Sequence, residues 1–384
     1  MKKTKQLLAG LGLALWGQAF AATGSSCDAA GKGWGALNLP AGCTETSRDI
    51  HDLHMMIMWI CVGIGVLVYG ILIYSLIHHR KSKGVTPATF HENHKLEIVW
   101  TIIPFLILIA MAVPATKVMM KVYDTSASDL TIKVTGYQWK WRYTYMNEGI
   151  DFFSALDAKS NACRQLGSGC DPSTVEHYLL NVDNPLVIPA NKKIRILLTA
   201  ADVLHAWWVP EFGWKKDAIP GFVTDGWIKV DKPGVYRGQC AELCGRDHGF
   251  MPIVVIVKTE DEYNKWVAEQ KGAQDANKAD AGKTLTLDEL NAKGKEVYAA
   301  NCAACHMAEG QGMPGAFPAI KGSPVALGPI DQHIKLVLKG KGAMPAFADQ
   351  LDAVALAAVV TYQRNGFGNG KGDAVQPAEI QAQK

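Results

Sequence analysis

Two charge-free runs constrain this 384-residue chain more than any other feature. Met55–Ile77 holds no charged residue over 23 positions, and Ile98–Thr116 holds none over 19. Each is long enough to cross the hydrocarbon core of a bilayer as a helix. Pro104 and Pro114 in the second run are tolerable there, because neighbouring helices can satisfy the freed backbone groups. Arg80, Lys81, Lys83 and Lys95 lie in the short stretch between the runs, and such residues stay on the cytoplasmic side. A transmembrane hairpin within 45–120 follows, with helices about 55–77 and 98–116 and both ends of the mature chain facing outward. Residues 1–21 have a basic start, an apolar middle and an Ala19-Phe20-Ala21 ending, which predicts a signal peptide.

After the second run the pattern changes to period two. Leu130–Val134, Ile194–Thr199 and Gly226–Val230 alternate, Pro233-Gly234 marks a turn, and Ile253–Val257 is a continuous apolar run. Many short strands with turn signals predict a β-sandwich or barrel over about 125–260. Aromatics at Tyr137, Trp139, Trp141, Tyr143 and Tyr145 alternate as on the packed face of one strand. Without the three lysines of the signal segment the chain has no net charge, and no basic stripe suggests nucleic acid. In an exported region Cys163 and Cys170 could form a disulfide, as could Cys27 and Cys43, and Cys61 within the first span is expected to be inert.

The stretch Cys240-Ala241-Glu242-Leu243-Cys244-Gly245-Arg246-Asp247-His248-Gly249-Phe250-Met251 holds two thiols, an imidazole, a thioether and a carboxylate within twelve positions. Soft sulfur with imidazole selects copper, or less often zinc, and a zinc site has no use for a thioether. His205 is the candidate for a further strong donor from elsewhere in the fold. The plainer alternative is a Cys240–Cys244 disulfide with His248 as a bystander. The pattern C-x-E-x-C-G-x-x-H-x-x-M with an upstream His resembles the dinuclear copper (CuA) signature of cytochrome c oxidase subunit II.

That resemblance implies a cupredoxin-like Greek-key sandwich with Cys240 and Cys244 as bridging thiolates and His205 and His248 as terminal imidazoles. It implies Met251 as a weak axial ligand and Glu242 as a ligand through its backbone carbonyl. The Glu242 carboxylate would then face a magnesium site at the boundary with the catalytic subunit. Trp139 takes the position through which electrons enter beside the copper pair. Glu97, at the cytoplasmic start of the second span, takes the position where protons enter. An ordinary solvated residue flanking a membrane helix is the plainer reading of Glu97.

Tyr263–Gln270 reads as a short helix and residues 271–283 as a small, polar linker. Thr286-Leu287-Asp288-Glu289 is a capping box that opens an amphipathic helix through about Ala300. It delivers Cys302-Ala303-Ala304-Cys305-His306, a C-x-x-C-H haem-attachment motif, since the βαβ surroundings of a redox dithiol are absent. Gly310–Pro318 reads as the loop edging the haem, and Gly342–Phe347 resembles the distal-ligand loop of class I cytochromes c. Met307 directly follows His306 and cannot reach the opposite face of the iron, and Met313 follows too soon. Met344 is therefore the expected distal ligand, with His333 or water as the alternative. A last helix spans Leu351–Arg364. The all-α cytochrome c domain is expected over 284–368, with a disordered tail over 369–384.

Together these segments predict a multidomain chain: transmembrane hairpin, cupredoxin-like sandwich, cytochrome c domain. They resemble subunit II of a bacterial haem–copper oxidase that carries its own haem c. The resemblance implies electrons passing from an external donor through haem c and CuA to a separate catalytic subunit, which reduces oxygen to water and pumps protons. It implies oxidase subunits I and III as partners. The donor would be a soluble or membrane cytochrome or a quinol-oxidising complex. It implies the inner membrane with both cofactor domains on the periplasmic side. Two rival readings are a membrane-anchored copper-delivery protein, which would need neither Met251 nor a haem domain, and a subunit of another reductase such as nitrous oxide reductase.

Overall fold

The computed structural model describes residues 38–384 except 40, 41, 166, 281 and 343, without the side chains of 276–280 and 304. The expected signal peptide over 1–21 and Cys27 lie outside the described residues. In chain order, helices α1 (Glu45–His78) and α2 (His94–Tyr123) lead into strands β1 (Leu130–Tyr137), β2 (Lys140–Tyr145) and β3 (Ile150–Ser154). Helix α3 (Ala158–Cys163) follows. Strands β4 (Leu186–Pro189), β5 (Ile194–Ala200), β6 (His205–Val209), β7 (Trp214–Ala218) and β8 (Thr224–Ile228) come next. After β9 (Gly234–Cys240) and β10 (Pro252–Lys258) the chain is helical: α4 (Glu260–Asp280), α5 (Leu287–Asn301), α6 (Ala303–His306), α7 (Pro324–Leu327), α8 (Ile330–Lys339), α9 (Ala353–Asn365) and α10 (Pro377–Gln381).

The chain divides into two compact units. The first comprises the hairpin and sandwich, up to Asn147 and again over Pro185–Glu260; the second is Glu148–Asn184 with Asp261–Lys384. In the first, α1 and α2 extend beyond the apolar runs at both ends, and no residue of their apolar windows is buried. A helix apolar all round that leaves most of its surface uncovered fits a lipid environment. The outer ends are stapled by Lys121, whose Nζ lies 2.6 Å from Glu45 and 2.5 Å from Asp49. The hairpin is fastened to the sandwich as well. The Thr44 hydroxyl, N-cap of α1, donates to the Phe212 carbonyl, Trp227 Nε1 donates to the Lys121 carbonyl, and Arg48 pairs with Asp231 at 2.6 Å.

Within the first unit one sheet runs β2-β1-β5-β8 and the other β4-β10-β9-β6-β7. Strands β1 and β5 pair in parallel, as do β10 and β4, and the other pairings are antiparallel. The inward residues, among them Ile132, Val134, Ile196, Leu198 and Val255, are fully buried, as period-two patterning requires. The aromatic stretch departs from a single strand. Tyr137 pairs with Lys140, so Gln138-Trp139 is the two-residue turn of a hairpin and Trp139 sits at its tip. Trp141 and Tyr143 are wholly buried, as the packed-face reading expects.

In the second unit Cys163 and Cys170 form a disulfide. Helix α4 runs unbroken to Asp280, so most of the expected linker 271–283 is helical. Ala, Gln and Lys are strong helix formers, and a segment needs no large apolar residue to stay helical. The expected capping box forms, with Thr286 and Glu289 exchanging hydrogen bonds. Helix α9 crosses α5 so closely that a Cβ on Gly294 would meet the Ala358 carbonyl at 2.1 Å. The expected disordered tail over 369–384 is instead folded back. Val375 and Ile380 are each 1 % exposed in the core formed by Leu290, Tyr298, Leu338 and Leu356, and the Gln376 amide brackets Leu285 at both N–H and C=O. Two apolar residues among glycines give a weak sequence signal, yet each fills a buried site.

Ile380→Ala leaves a cavity under α5 and α9 and is expected to cost about 2–4 kcal/mol of stability in the second unit. Denaturant unfolding followed by the haem or aromatic signal of that unit measures it.

Candidate metal centre and haem motif

Strand pairing assembles the metal loop. Trp207 pairs with Cys240 across β6 and β9, and the Ala241 amide donates to the Ala206 carbonyl, so His205 at the head of β6 stands beside the loop that follows β9. Gly136 on β1 leaves room for the ring: a Cβ there would lie 2.7 Å from His205 Cδ2. Trp141 meets the same ring edge-on at 5.9 Å and donates through Nε1 to the Met251 carbonyl.

His205, Cys240 and Cys244 are buried, and their ligand atoms lie within 4.8 Å of one another. The two sulfurs are 3.9 Å apart. Cys240 Sγ has His205 Nδ1 at 3.9 Å and the Glu242 carbonyl at 3.4 Å. Cys244 Sγ has His248 Nδ1 at 3.4 Å and Met251 Sδ at 3.5 Å. Each sulfur thus carries one imidazole nitrogen and one weak donor, a nearly two-fold arrangement about the sulfur pair. No Cys240–Cys244 disulfide forms. The donor set fits soft metal ions shared by two thiolates, and a single tetrahedral ion would leave donors over.

The hydrogen bond from Cys244 pulls the Cys240 thiol far below its ordinary pKa, against the cost of burial. Cys244 is pushed up, first by that same bond and then by burial. At this separation two thiolates repel by about 4 kcal/mol at the effective dielectric of a protein site. The pair alone therefore releases one proton readily, and the second leaves only for a cation.

Asp202 supplies the outer support. Its Oδ1 accepts from His205 Nε2 at 2.9 Å, which leaves Nδ1 bare toward Cys240. Burial opposes charge on His205, but the bonds to Asp202 and Cys240 outweigh it and raise its pKa. Asp202 also accepts from the Gln138 amide at 2.7 Å, and the Gln138 and Trp139 side chains both donate to the Cys244 carbonyl, at 2.9 and 3.1 Å. The hairpin tip thus joins the His205 side of the site to the Cys244 side. Sequence reading found Trp139 but missed Asp202 and Gln138. The Asp-x-x-His spacing before His205 is a usable signal for an orienting carboxylate. Gln138 offered none. Glu242 itself is exposed, and Glu97 lies in the first turn of α2, where its carboxylate accepts from the Asn93 amide at 3.3 Å.

In the second unit α5 ends at Cys302, and His306 closes the short turn α6. His306 Nδ1 lies 2.8 Å from the Pro318 carbonyl, which fixes the proton there and leaves Nε2 bare. Tyr298 holds the Met307 carbonyl at 2.8 Å, at a non-glycine residue with φ +64. Gln311, Met313, Phe317 and Pro318 help to line a cavity of about 430 Å³ in the loop expected to edge the haem. Cys302 and Met344 are partly buried against the helical core. His333, the alternative ligand, is buried with Nε2 on Gln363 Oε1 at 2.8 Å. These residues fit a covalently held haem with one imidazole ligand, and Met344 is the thioether packed against that core.

Residues 130–258 match the family model described as cytochrome c oxidase subunit II, periplasmic domain, and residues 32–118 match its transmembrane domain. A protein of Rickettsia bellii named probable cytochrome c oxidase subunit 2 is 40% identical over 222 residues, which covers 58% of this chain and 79% of that one. The chain belongs to the cytochrome c oxidase subunit II family. The Cereibacter sphaeroides subunit 2 is 33% identical, covering 62% of this chain and 81% of its own length. The crystal structure of the periplasmic domain of subunit II from Bradyrhizobium japonicum is 42% identical, covering 39% of this chain and 98% of that one, at a TM-score of 0.33. Residues 289–362 match a third model, cytochrome c oxidase, cbb3-type, subunit III. The chain is thus a membrane-anchored subunit of a terminal oxidase with a periplasmic domain. Its family implies CuA copper, and its C-terminal match implies haem c.

Asp202→Leu removes the acceptor that fixes the His205 tautomer and is expected to lower copper affinity about 10–100-fold with the sandwich still folded. Copper competition with a chelator, alongside circular dichroism, checks it.

Proposed function

We propose that this subunit collects electrons from an external donor in its C-terminal unit and delivers them through its sandwich to a catalytic haem–copper subunit in the bacterial inner membrane. The observation that carries the reading is the paired donor set: two sulfurs, each with one imidazole nitrogen and one weak donor. Copper bound there, and haem on the C-x-x-C-H motif, would each take up and release one electron at a time. The chain's own residues do the rest. Cys240, Cys244, His205, His248, Met251 and the Glu242 carbonyl are preset by strand pairing and by Asp202, so electron transfer demands little rearrangement. Trp139 reaches the Cys244 carbonyl directly and is the proposed point of electron arrival. Cys302 and Cys305 would anchor the haem, and His306 through Nε2 and Met344 through its thioether would hold the iron. A thioether there raises the potential relative to bis-imidazole ligation, as suits a donor upstream of oxygen.

The Glu242 carboxylate, free of the metal loop's own contacts in this reading, faces the catalytic subunit and a magnesium ion. Glu97 at the cytoplasmic end of α2 is assigned to a proton path because it takes the family's proton-entry position, and an ionisable residue at the edge of a span can mark such a path. Subunits I and III are the proposed partners, and the donor is a cytochrome or a quinol-oxidising complex.

Metal analysis of the purified subunit should find two coppers per chain, with a paramagnetic signal from one electron shared by both. One copper with a localised signal would sink the dinuclear reading. Cys240→Ser should retain at most one copper, because a hydroxyl does not ionise to replace a bridging thiolate at neutral pH. For the haem, Met344→Leu should abolish the methionine-to-iron charge-transfer band and lower the haem potential, whereas Met313→Leu should leave both unchanged. A band that survives Met344→Leu would move the assignment to Met313.

A further inference from the structure

A run of buried polar side chains in the C-terminal unit leads to the first cysteine of the haem motif. His333 on α8 and Gln363 on α9 are 4% and 3% exposed. His333 Nε2 lies 2.8 Å from Gln363 Oε1, and Gln363 Nε2 lies 3.8 Å from Cys302 Sγ. The direction of each bond follows from the chemistry. An amide nitrogen only donates, so the Gln363 oxygen accepts and His333 Nε2 carries the proton. Burial pushes the His333 imidazole down to about 4, so the ring is neutral at physiological pH. Its Nδ1 is then a bare acceptor, and it has no hydrogen-bond partner among the described residues.

Such a residue is costly in a helical core. A leucine or phenylalanine at this buried position would leave no unpaired acceptor. What the imidazole supplies that they cannot is a fixed donor to Gln363. What Gln363 supplies is an N–H aimed at sulfur.

We propose that Gln363, oriented by His333, donates a hydrogen bond to the Cys302 sulfur and thereby raises the reduction potential of the haem attached there. The proposal rests on the haem-attachment reading of Cys302, Cys305 and His306. Once joined to the haem, the sulfur would stand one saturated carbon from the macrocycle. An N–H pointed at it sets the positive end of a dipole beside the haem edge and disfavours the more highly charged ferric form. Outer hydrogen bonding is one of the levers a protein has on haem potential, beside axial ligation and burial. Gln363 and His333 are positioning residues here, since neither touches the iron ligands.

The test is a redox titration of the haem c absorbance in the full-length chain, purified within its oxidase complex, with the attached haem verified by mass. Gln363→Met keeps length and bulk but removes the donor. It should lower the haem potential so that reduction by a one-electron mediator falls about threefold, roughly 30 mV. His333→Phe leaves the amide present but unheld, and should shift the potential the same way by a smaller amount. Haem attachment and the methionine-to-iron band should be unchanged in both. An unchanged potential in Gln363→Met, with haem attached, would overturn the proposal and leave the amide as core filler. If Gln363→Met does not fold, His333→Phe decides by the same measurement, an unchanged potential again overturning it. A wild-type chain with no covalent haem would instead sink the reading on which the proposal stands, a result that mass alone distinguishes.

Discussion

Two sulfurs 3.9 Å apart in a buried loop are the constraint on which the first unit depends. Ionised together they repel, and burial adds to the cost, so a chain that keeps them close needs a scaffold that does not yield. The sandwich supplies it through strand register. The β6–β9 pairing fixes His205 against Cys240, Gly136 clears space for the imidazole, and the β1–β2 hairpin tip clamps the Cys244 carbonyl. A loop free to open would relieve the repulsion by moving the sulfurs apart, and their close pairing would be lost. Rigid strands holding loops at one end suit such a site, since the loops carry the chemistry and the ladder carries the strain.

The ring of hydrogen bonds through Asp202 and Gln138 extends the same logic. Asp202 binds His205 and the hairpin backbone at once, and Gln138 binds the hairpin to Cys244. A displacement on one side is therefore felt on the other. Electron transfer favours sites that change little between oxidation states, and a closed ring of this kind resists the movement of any single ligand.

The cluster of donors in the first unit was legible because soft donors at close spacing leave few chemistries open. The sandwich was legible because one buried face imposes alternation on Leu130–Val134 and Ile194–Thr199. What escaped was set by tertiary contact. Trp139 stood out by family resemblance and not by pattern, because a two-residue turn inside an alternating run keeps the alternation and so hides the turn. Asp202 looked like a loop residue, and only the fold brings it to His205. The linker helix was missed because a helix without an apolar stripe has no periodicity to find. The tail was missed because its polar, glycine-rich start outweighed the two apolar side chains that bury.

Strand β6 joins the metal site to the membrane anchor. It begins at His205, runs to Val209, and continues through the turn Pro210–Phe212, whose last carbonyl accepts from Thr44 at the head of α1. Five strand residues at about 3.3 Å each set a span on the order of 13 Å between the ligand and that junction. The rate of electron transfer falls steeply with distance, so the separation between a copper site and a partner in the membrane must be held, not averaged. A flexible linker would let that separation wander. Here one strand runs from His205 to the junction, and the Trp227 and Arg48 contacts add two further fastenings between the sandwich and the hairpin. The same contacts that join the sandwich to the hairpin therefore also fix His205 relative to the outer end of the membrane helices.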